Sequence, residues 1–283
     1  MCKSKRPHCP LLLTGASGRL GVLLRQVWQN HPGLPCAHFV SRNAGAESRW
    51  SPGQMTQTLP RCDTLIALWG VIAGAPEALA LNSALAVTAH DLAKDLGAMR
   101  VLHLSSAGVY GPGTGLTEAS TPNPVTEYGH AKLRMEDRIA ALPAIDGITH
   151  CCLRLANVVG ADSLAPGLNG TKPIELDRFP DGHGPRRSYI APGILAQVLT
   201  GLTALPLHAL PHVLNVAARS PVNMADLVRS AGRRIAWRPA PDHAVQTVTI
   251  DTSQLAALLS RIPLDADADR MIADWKTPEG ATP

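Results

Sequence analysis

Residues 14–21 read TGASGRLG, between the apolar run CPLLLTG (9–15) and the amphipathic stretch RLGVLLRQVWQNH (19–31). No other feature constrains the chain as much. Gly15, Gly18 and Gly21 fall in the order G-x-x-G-x-x-G. A plain strand-to-helix turn would also tolerate them. Their setting favours more, because a glycine turn that leaves a buried strand and opens a helix lets backbone approach an anion. The first helical amides and the helix dipole then meet that charge. The pattern predicts a seat for a dinucleotide pyrophosphate, with Gly15, Ser17, Gly18, Arg19, Leu20 and Gly21 as its contacts.

Further apolar runs follow: CAHFVSR (36–42), CDTLIALWG (62–70), RVLHLSS (100–106) and THCCLRL (149–155). They alternate with helical stretches over 76–97 and roughly 123–141. Strands apolar throughout, separated by helices, predict an α/β fold of Rossmann type: a doubly wound parallel sheet covered on both faces. Beyond residue 157 the regularity breaks into loop-rich segments such as GADSLAPGLNGTKP and RFPDGHGPRR. We expect an NAD(P)-binding domain over 1–157. A smaller, irregular α/β substrate-binding part covers most of 158–283, with some segments returning to the first domain.

Composition narrows the partners. The formal net charge is only +4, and the one dense basic run is KSKR at 3–6, so a nucleic-acid partner is not expected. No apolar run approaches 18 residues, which predicts no membrane span and a cytoplasmic location. The six cysteines (Cys2, Cys9, Cys36, Cys62, Cys151, Cys152) form no CxxC pair and read as reduced thiols. The histidines show no metal-ligand spacing, and no metal is expected.

The second strand ends in FVSRN, without the carboxylate that commonly receives the adenosine ribose of NAD. Ser41 and Arg42 stand there instead. Arg42, with Arg19 as a second cation, suits a 2′-phosphate, so NADP is preferred over NAD.

The stretch EYGHAK (127–132) places Tyr128 four residues ahead of Lys132, on one face of a helix. On an exposed face the pair is surface decoration. In a cleft, an ammonium beside a phenol of pKa near 10 lowers that value by roughly 1–3 units. LHLSSAGVYG (102–111) puts Ser105 and Ser106 at the C-terminal end of a strand, the edge where open parallel sheets bind ligands.

At this point the chain resembles the extended short-chain dehydrogenases/reductases, the nucleotide-sugar epimerase/dehydratase group. TGASGRLG, SSAGVYG, EYGHAK, LRLANVVG (153–160) and RRSYI (186–190) occur in that group's order, and VLNVAARSPVNMADLV (213–228) resembles its late strand and helix. The resemblance implies Tyr128 as proton donor and acceptor and Lys132 as its cation and ribose ligand. Ser106 would orient the substrate oxygen, with Asn82 near the cofactor, Asn157 facing the substrate and Arg187 facing a diphosphate. It implies an NAD(P)-dependent oxidoreductase or epimerase acting on a hydroxyl/ketone centre of a sugar nucleotide or related metabolite, and it is compatible with a homodimer. Dehydration is disfavoured, because Ala107 and Gly108 follow Ser106 where the group's dehydratases carry an acid and a base. A non-catalytic dinucleotide sensor or scaffold is the alternative. Trp69 is bulky for its place at the end of the 62–70 run, and either reshapes the nicotinamide pocket or turns into the core.

Overall fold

Continuously apolar strands need cover on both faces, and the chain supplies it by alternating strands with helices. The computed structural model describes residues 6–276. Cys2 and the first three residues of the KSKR run lie outside the described residues. The N-terminal part runs β1 (Leu11–Thr14), α1 (Arg19–Asn30), β2 (Ala37–Ser41), β3 (Ser48–Arg49), β4 (Thr64–Ala67), α2 (Pro76–Leu96), β5 (Arg100–Ser106), α3 (Glu127–Ala140) and β6 (Thr149–Leu155). Shorter elements follow: β7 (Asn157–Val158), α4 (Ala165–Asn169), β8 (Ile174–Arg178), β9 (Arg186–Arg187), β10 (Tyr189–Ile190), α5 (Pro192–Ala204), β11 (Val213–Val216), β12 (Val222–Asn223) and α6 (Met224–Ser230). The last are β13 (Ile235–Pro239), β14 (Thr247–Val248), α7 (Ser253–Leu258) and α8 (Ala268–Lys276).

Seven strands form one sheet in the order β11-β6-β5-β4-β1-β2-β3, every pair parallel. This is the Rossmann-type doubly wound arrangement, and the winding reverses between β1 and β4. Side chains alternate across it. Leu11 and Leu13 pack with Leu24 of α1 and Leu199 of α5, while Leu12 packs with Leu65 and with Leu92 of α2. The C-terminal half returns β11 to the edge of this sheet and lays α5 against α1. Its other segments build a second core around Leu176, Tyr189, Leu227 and Ile272.

Local chemistry sets the helix bounds. Pro76 occupies the first turn of α2, and Gly97 closes that helix at φ +80° with its amide on Lys94 O. α3 starts at Glu127 rather than near 123, because Thr126 caps it: its Oγ1 accepts from Gly129 N at 3.0 Å. Among the described residues no helix is long and apolar enough to cross a membrane. The five described cysteines are free thiols. Cys9 and Cys36, just ahead of β1 and β2, approach to 3.1 Å between sulfurs, a proximity their sequence separation does not announce.

Buried polar groups between α2 and the sheet form a chain. His103 Nε2 lies 3.0 Å from His150 Nδ1, His150 Nε2 3.1 Å from His90 Nδ1, and His90 Nε2 3.0 Å from Asp146 Oδ2. Lys94 completes it with 2.9 Å to Asp146 Oδ1. The ionised Asp146 fixes the tautomers, so each ring donates toward it. Burial, with the like-charged neighbours behind it, holds His103 well below the usual imidazole range and His150 down at about 4.

This gives the fold an acid limit. These imidazoles take up protons at pH 6.5 when unfolded and resist them when folded. Their stabilisation is therefore complete above about pH 6.5 and is lost as pH falls below it, for His150 down to about 4. We expect urea unfolding to show a loss of roughly 2 kcal/mol between pH 7 and 4.5. In His103→Leu/His150→Leu that dependence should shrink, and an unchanged slope would contradict the assignment.

Candidate active site

The glycine loop lies at the reversal of winding. Gly15 has φ +77°, and a Cβ there would fall 2.6 Å from Trp69 N, so the exits of β1 and β4 touch backbone to backbone. α1 begins at Arg19 behind Gly18, which offers no side-chain cap to the first helical amides. Gly15, Ser17 and Gly18 of the loop line a cavity of about 590 Å3, walled also by Ser41 and Arg42 at the end of β2, by Leu68–Val71 after β4, and by α2. An uncapped helix start, a close-approach glycine and a cavity of this size fit a dinucleotide.

Arg19, Ser41 and Leu20 also have partners within the fold. Arg19 does not join Arg42: its guanidinium donates to Ala161 O (3.2 Å) and Asp162 O (3.1 Å), tying the loop to the segment after β7. Arg49 is the cation beside Arg42, donating from Nε to Arg42 O at 2.9 Å. Ser41 Oγ accepts from Asn43 N at 3.0 Å, and Leu20 packs its side chain on the sheet core.

At the C-terminal edge of β5, Ser106 caps a single 3-10 turn, accepting from Gly108 N at 3.0 Å. α3 comes against this turn because Gly129 and Ala131 are small. A Cβ on Gly129 would meet Gly108 O at 2.5 Å, which explains the small residue after Tyr128. Tyr128 is half-buried, and the Lys132 ammonium lies 5.8 Å from its ring centroid. Lys132 is 3% exposed and donates from Nζ to Leu104 O at 2.7 Å.

The electrostatics correct the sequence expectation of a phenol made more acidic by its cation. Burial pushes Tyr128 up to about 12, with the Ser106 hydroxyl pulling the other way. Lys132 suffers the same burial and falls to about 8, opposed by the Glu136 carboxylate. Desolvation sets the direction for both groups, and the Lys132 ammonium, 5.8 Å from the ring centroid, is turned to the Leu104 carbonyl. At neutral pH the phenol is an acid. The arrangement can donate a proton to a substrate carbonyl oxygen. Accepting one needs further positive charge nearby.

Asn82 too has backbone partners. Its amide is fully engaged with backbone: Oδ1 accepts from Val71 N (3.1 Å), and Nδ2 donates to Val71 O (3.0 Å) and Leu79 O (2.8 Å). It braces the loop after β4 against α2 and so sets the wall of the cavity. Gly70 in that loop lies where a Cβ would meet Asn82 Oδ1 at 2.8 Å and Lys132 Nζ at 3.2 Å. It is a position that spacing alone did not mark.

Behind the site runs a buried network that sequence reasoning missed. Glu136, one turn beyond Lys132, accepts from Ser105 Oγ of β5 and pairs with Arg154 of β6, Nη2 to Oε2 at 2.7 Å. The Arg154 guanidinium lies 4.6 Å over the Tyr110 ring, and the Tyr110 hydroxyl donates to Asn215 Oδ1 of β11 at 2.8 Å. α3 is thus locked to three adjacent strands, directly below Ser106.

Beyond Ser106 two open cavities of about 350 and 380 Å3 share Asn157 and Arg187 as lining. Asn157 donates to Ser188 O at 3.2 Å. The Arg187 guanidinium donates to the carbonyls of Arg186 (2.8 Å), Gln246 (2.7 Å) and Val245 (2.8 Å). Arg238 lines the larger cavity and is paired there with Glu175 and Asp177.

The model of the NAD dependent epimerase/dehydratase family matches residues 11–173. Among solved structures, MoeE5 in complex with UDP-glucose and NAD is similar, with a TM-score of 0.74 and 23% identity over 94% of this chain and 97% of that one. A mutant UDP-glucuronic acid 4-epimerase from Bacillus cereus, in complex with a fluorinated UDP-sugar and NAD, gives 0.73 and 16% over 94% and 98%. UDP-glucose 4-epimerase from Thermotoga maritima, with UDP-glucose, gives 0.72 and 16% over 94% and 97%. No curated protein matches the sequence.

The Glu136–Arg154 pair yields a stability test. Glu136→Leu strands a buried guanidinium and should cost about 3–5 kcal/mol in urea unfolding. Glu136→Leu/Arg154→Met should recover most of that loss. A single variant as stable as the parent would refute the buried pair.

Proposed function

This chain belongs to the NAD dependent epimerase/dehydratase family, and on that footing we propose that it is an NAD(P)-dependent oxidoreductase or epimerase acting on a hydroxyl/ketone centre. The substrate is a sugar nucleotide or a related polar metabolite. The observation that carries this reading is the convergence of Ser106, Tyr128 and Lys132 at the sheet edge, with Gly70 joining that cluster to the glycine-loop cavity.

A bound nicotinamide dinucleotide would supply the hydride donor or acceptor, and in its oxidised form the positive charge that eases phenol ionisation. The chain's own groups do the rest. Ser106 receives and aligns the substrate oxygen. Tyr128, protonated at neutral pH, gives its proton to that oxygen when a carbonyl is reduced and takes it back when an alcohol is oxidised. Lys132 holds the nicotinamide ribose and favours the phenolate whenever it is itself charged. Asn157 and Arg187 bound the substrate cavity, mainly from the 158–283 part, while 1–157 with β11 and α5 seats the cofactor.

NADP is the preferred form. The rim of the cavity at β2 carries Arg42 with Arg49 behind it, and no acidic residue lines the cavity among the described residues. Ala107 and Gly108 after Ser106 leave no acid and base for dehydration, which favours reduction or epimerisation.

Activity and binding measurements test this. A panel of alcohols, ketones and sugar nucleotides followed at the reduced-nicotinamide band should show turnover. Tyr128→Phe should cut it by roughly 100-fold or more while cofactor Kd stays within about threefold; wild-type-like turnover in the variant would sink the reading. NADP should bind more tightly than NAD, and Arg42→Ala should erase about tenfold of that preference; tighter NAD binding would overturn the choice. Cofactor binding should weaken as pH rises through about 8, where Lys132 loses its charge. Copurification of tightly bound dinucleotide marks an epimerase; free exchange marks a reductase.

A further inference from the structure

The cavity beside the glycine loop changes character along its length. Gly15, Ser17 and Gly18 give it a backbone-rich stretch, and Trp50, Pro52, Trp69 and Leu81 give it an apolar one. The apolar stretch leaves surface open to water: Leu81 is 52% exposed and Trp69 is half-buried. Such a surface inside a concave site calls for a flat apolar ligand.

Trp69 is held in a defined plane. Its ring lies 6.1 Å from that of Trp50, the planes 27° apart. Trp50 is itself fixed, 5% exposed, with its amide on Ser41 O at 2.9 Å and its Nε1 on Gln54 O at 3.2 Å. Trp69 N is the atom pressed against Gly15, so the ring's distance from the anion seat is set by backbone packing. With a pyrophosphate on the glycine loop, the cavity offers one base the Gly70 side, next to Lys132 Nζ, and the other the Trp69 ring on the Trp50 side. The nicotinamide belongs near Tyr128, which leaves the purine for the tryptophan end. No carboxylate lines the cavity among the described residues, so nothing charged stands ready to accept from a purine amino group.

Resting on the cofactor reading above, we propose that the purine of the dinucleotide is held by stacking on Trp69, braced by Trp50, without a charged acceptor for its exocyclic group. Stacking is indifferent to that group because every base offers a π-face. The site should therefore accept hypoxanthine almost as readily as adenine, and most of the purine affinity should depend on the aromatic face of residue 69.

Calorimetry and tryptophan quenching with AMP, nicotinamide mononucleotide, NAD, NADP and the hypoxanthine analogue of NAD test this. Trp69→Ala should weaken AMP and both dinucleotides about tenfold to a hundredfold and leave nicotinamide mononucleotide unchanged. Trp69→Phe should regain most of the loss, and the hypoxanthine analogue should bind within about threefold of NAD. If Trp69→Ala does not fold, the phenylalanine variant and the hypoxanthine comparison on the unaltered protein decide. AMP and dinucleotide binding unmoved by Trp69→Ala, or rejection of the hypoxanthine analogue by more than tenfold, would overturn the inference alone. An unaltered, folded protein that binds neither AMP nor either dinucleotide would overturn the cofactor reading and the inference together.

Discussion

A lysine buried at the edge of a parallel sheet is the constraint around which this molecule is arranged. Lys132 is all but sealed from water and rests its ammonium on the Leu104 carbonyl. A buried ammonium is costly unless its surroundings compensate, and the compensation reaches into every neighbouring element. The carbonyl comes from β5. The counter-charge comes from Glu136, one turn along the same helix. Space for the ammonium comes from Gly70, where any side chain would press on it. The price is visible in the lowered Lys132 pKa, which leaves the charge responsive to pH close to the working range.

The same geometry sets Tyr128. Tyr128, Lys132 and Glu136 form one stripe on α3, and Glu136 is the member locked into the sheet through Ser105 and Arg154. Because Ser105 precedes Ser106, one buried carboxylate fixes the helix register and the strand position together. The phenol then stands beside Ser106 by construction. Its raised pKa keeps it protonated at neutral pH, and a cationic ring brought into the adjoining cavity would pull in the opposite direction.

How far the sequence reveals this depends on the range of the interaction. The glycine loop, the apolar strands and the Tyr–Lys spacing are local, and they lead to a doubly wound sheet with the site at its switch point. Asn82 was legible as a residue near the site, but its part as a brace for backbone appears only once the loop after β4 is in place. Arg19 reads as a partner for Arg42 because both are basic and flank the same cavity, yet its guanidinium reaches across to Ala161 and Asp162, more than 140 residues away. Arg49, Arg154, Gly70 and the Trp50–Trp69 pair carry no spacing signal, since their partners lie on other elements. Bulk alone marked Trp69, with two outcomes open, and the ring lines the cavity against Trp50.

The most direct measurement is a structure of the protein with dinucleotide and a substrate analogue bound. The account places the Tyr128 hydroxyl within about 3 Å of the reacting oxygen, with Ser106 on the same oxygen and the nicotinamide face alongside. A complex in which that hydroxyl points to bulk water, or in which the nicotinamide lies away from Lys132, would contradict it.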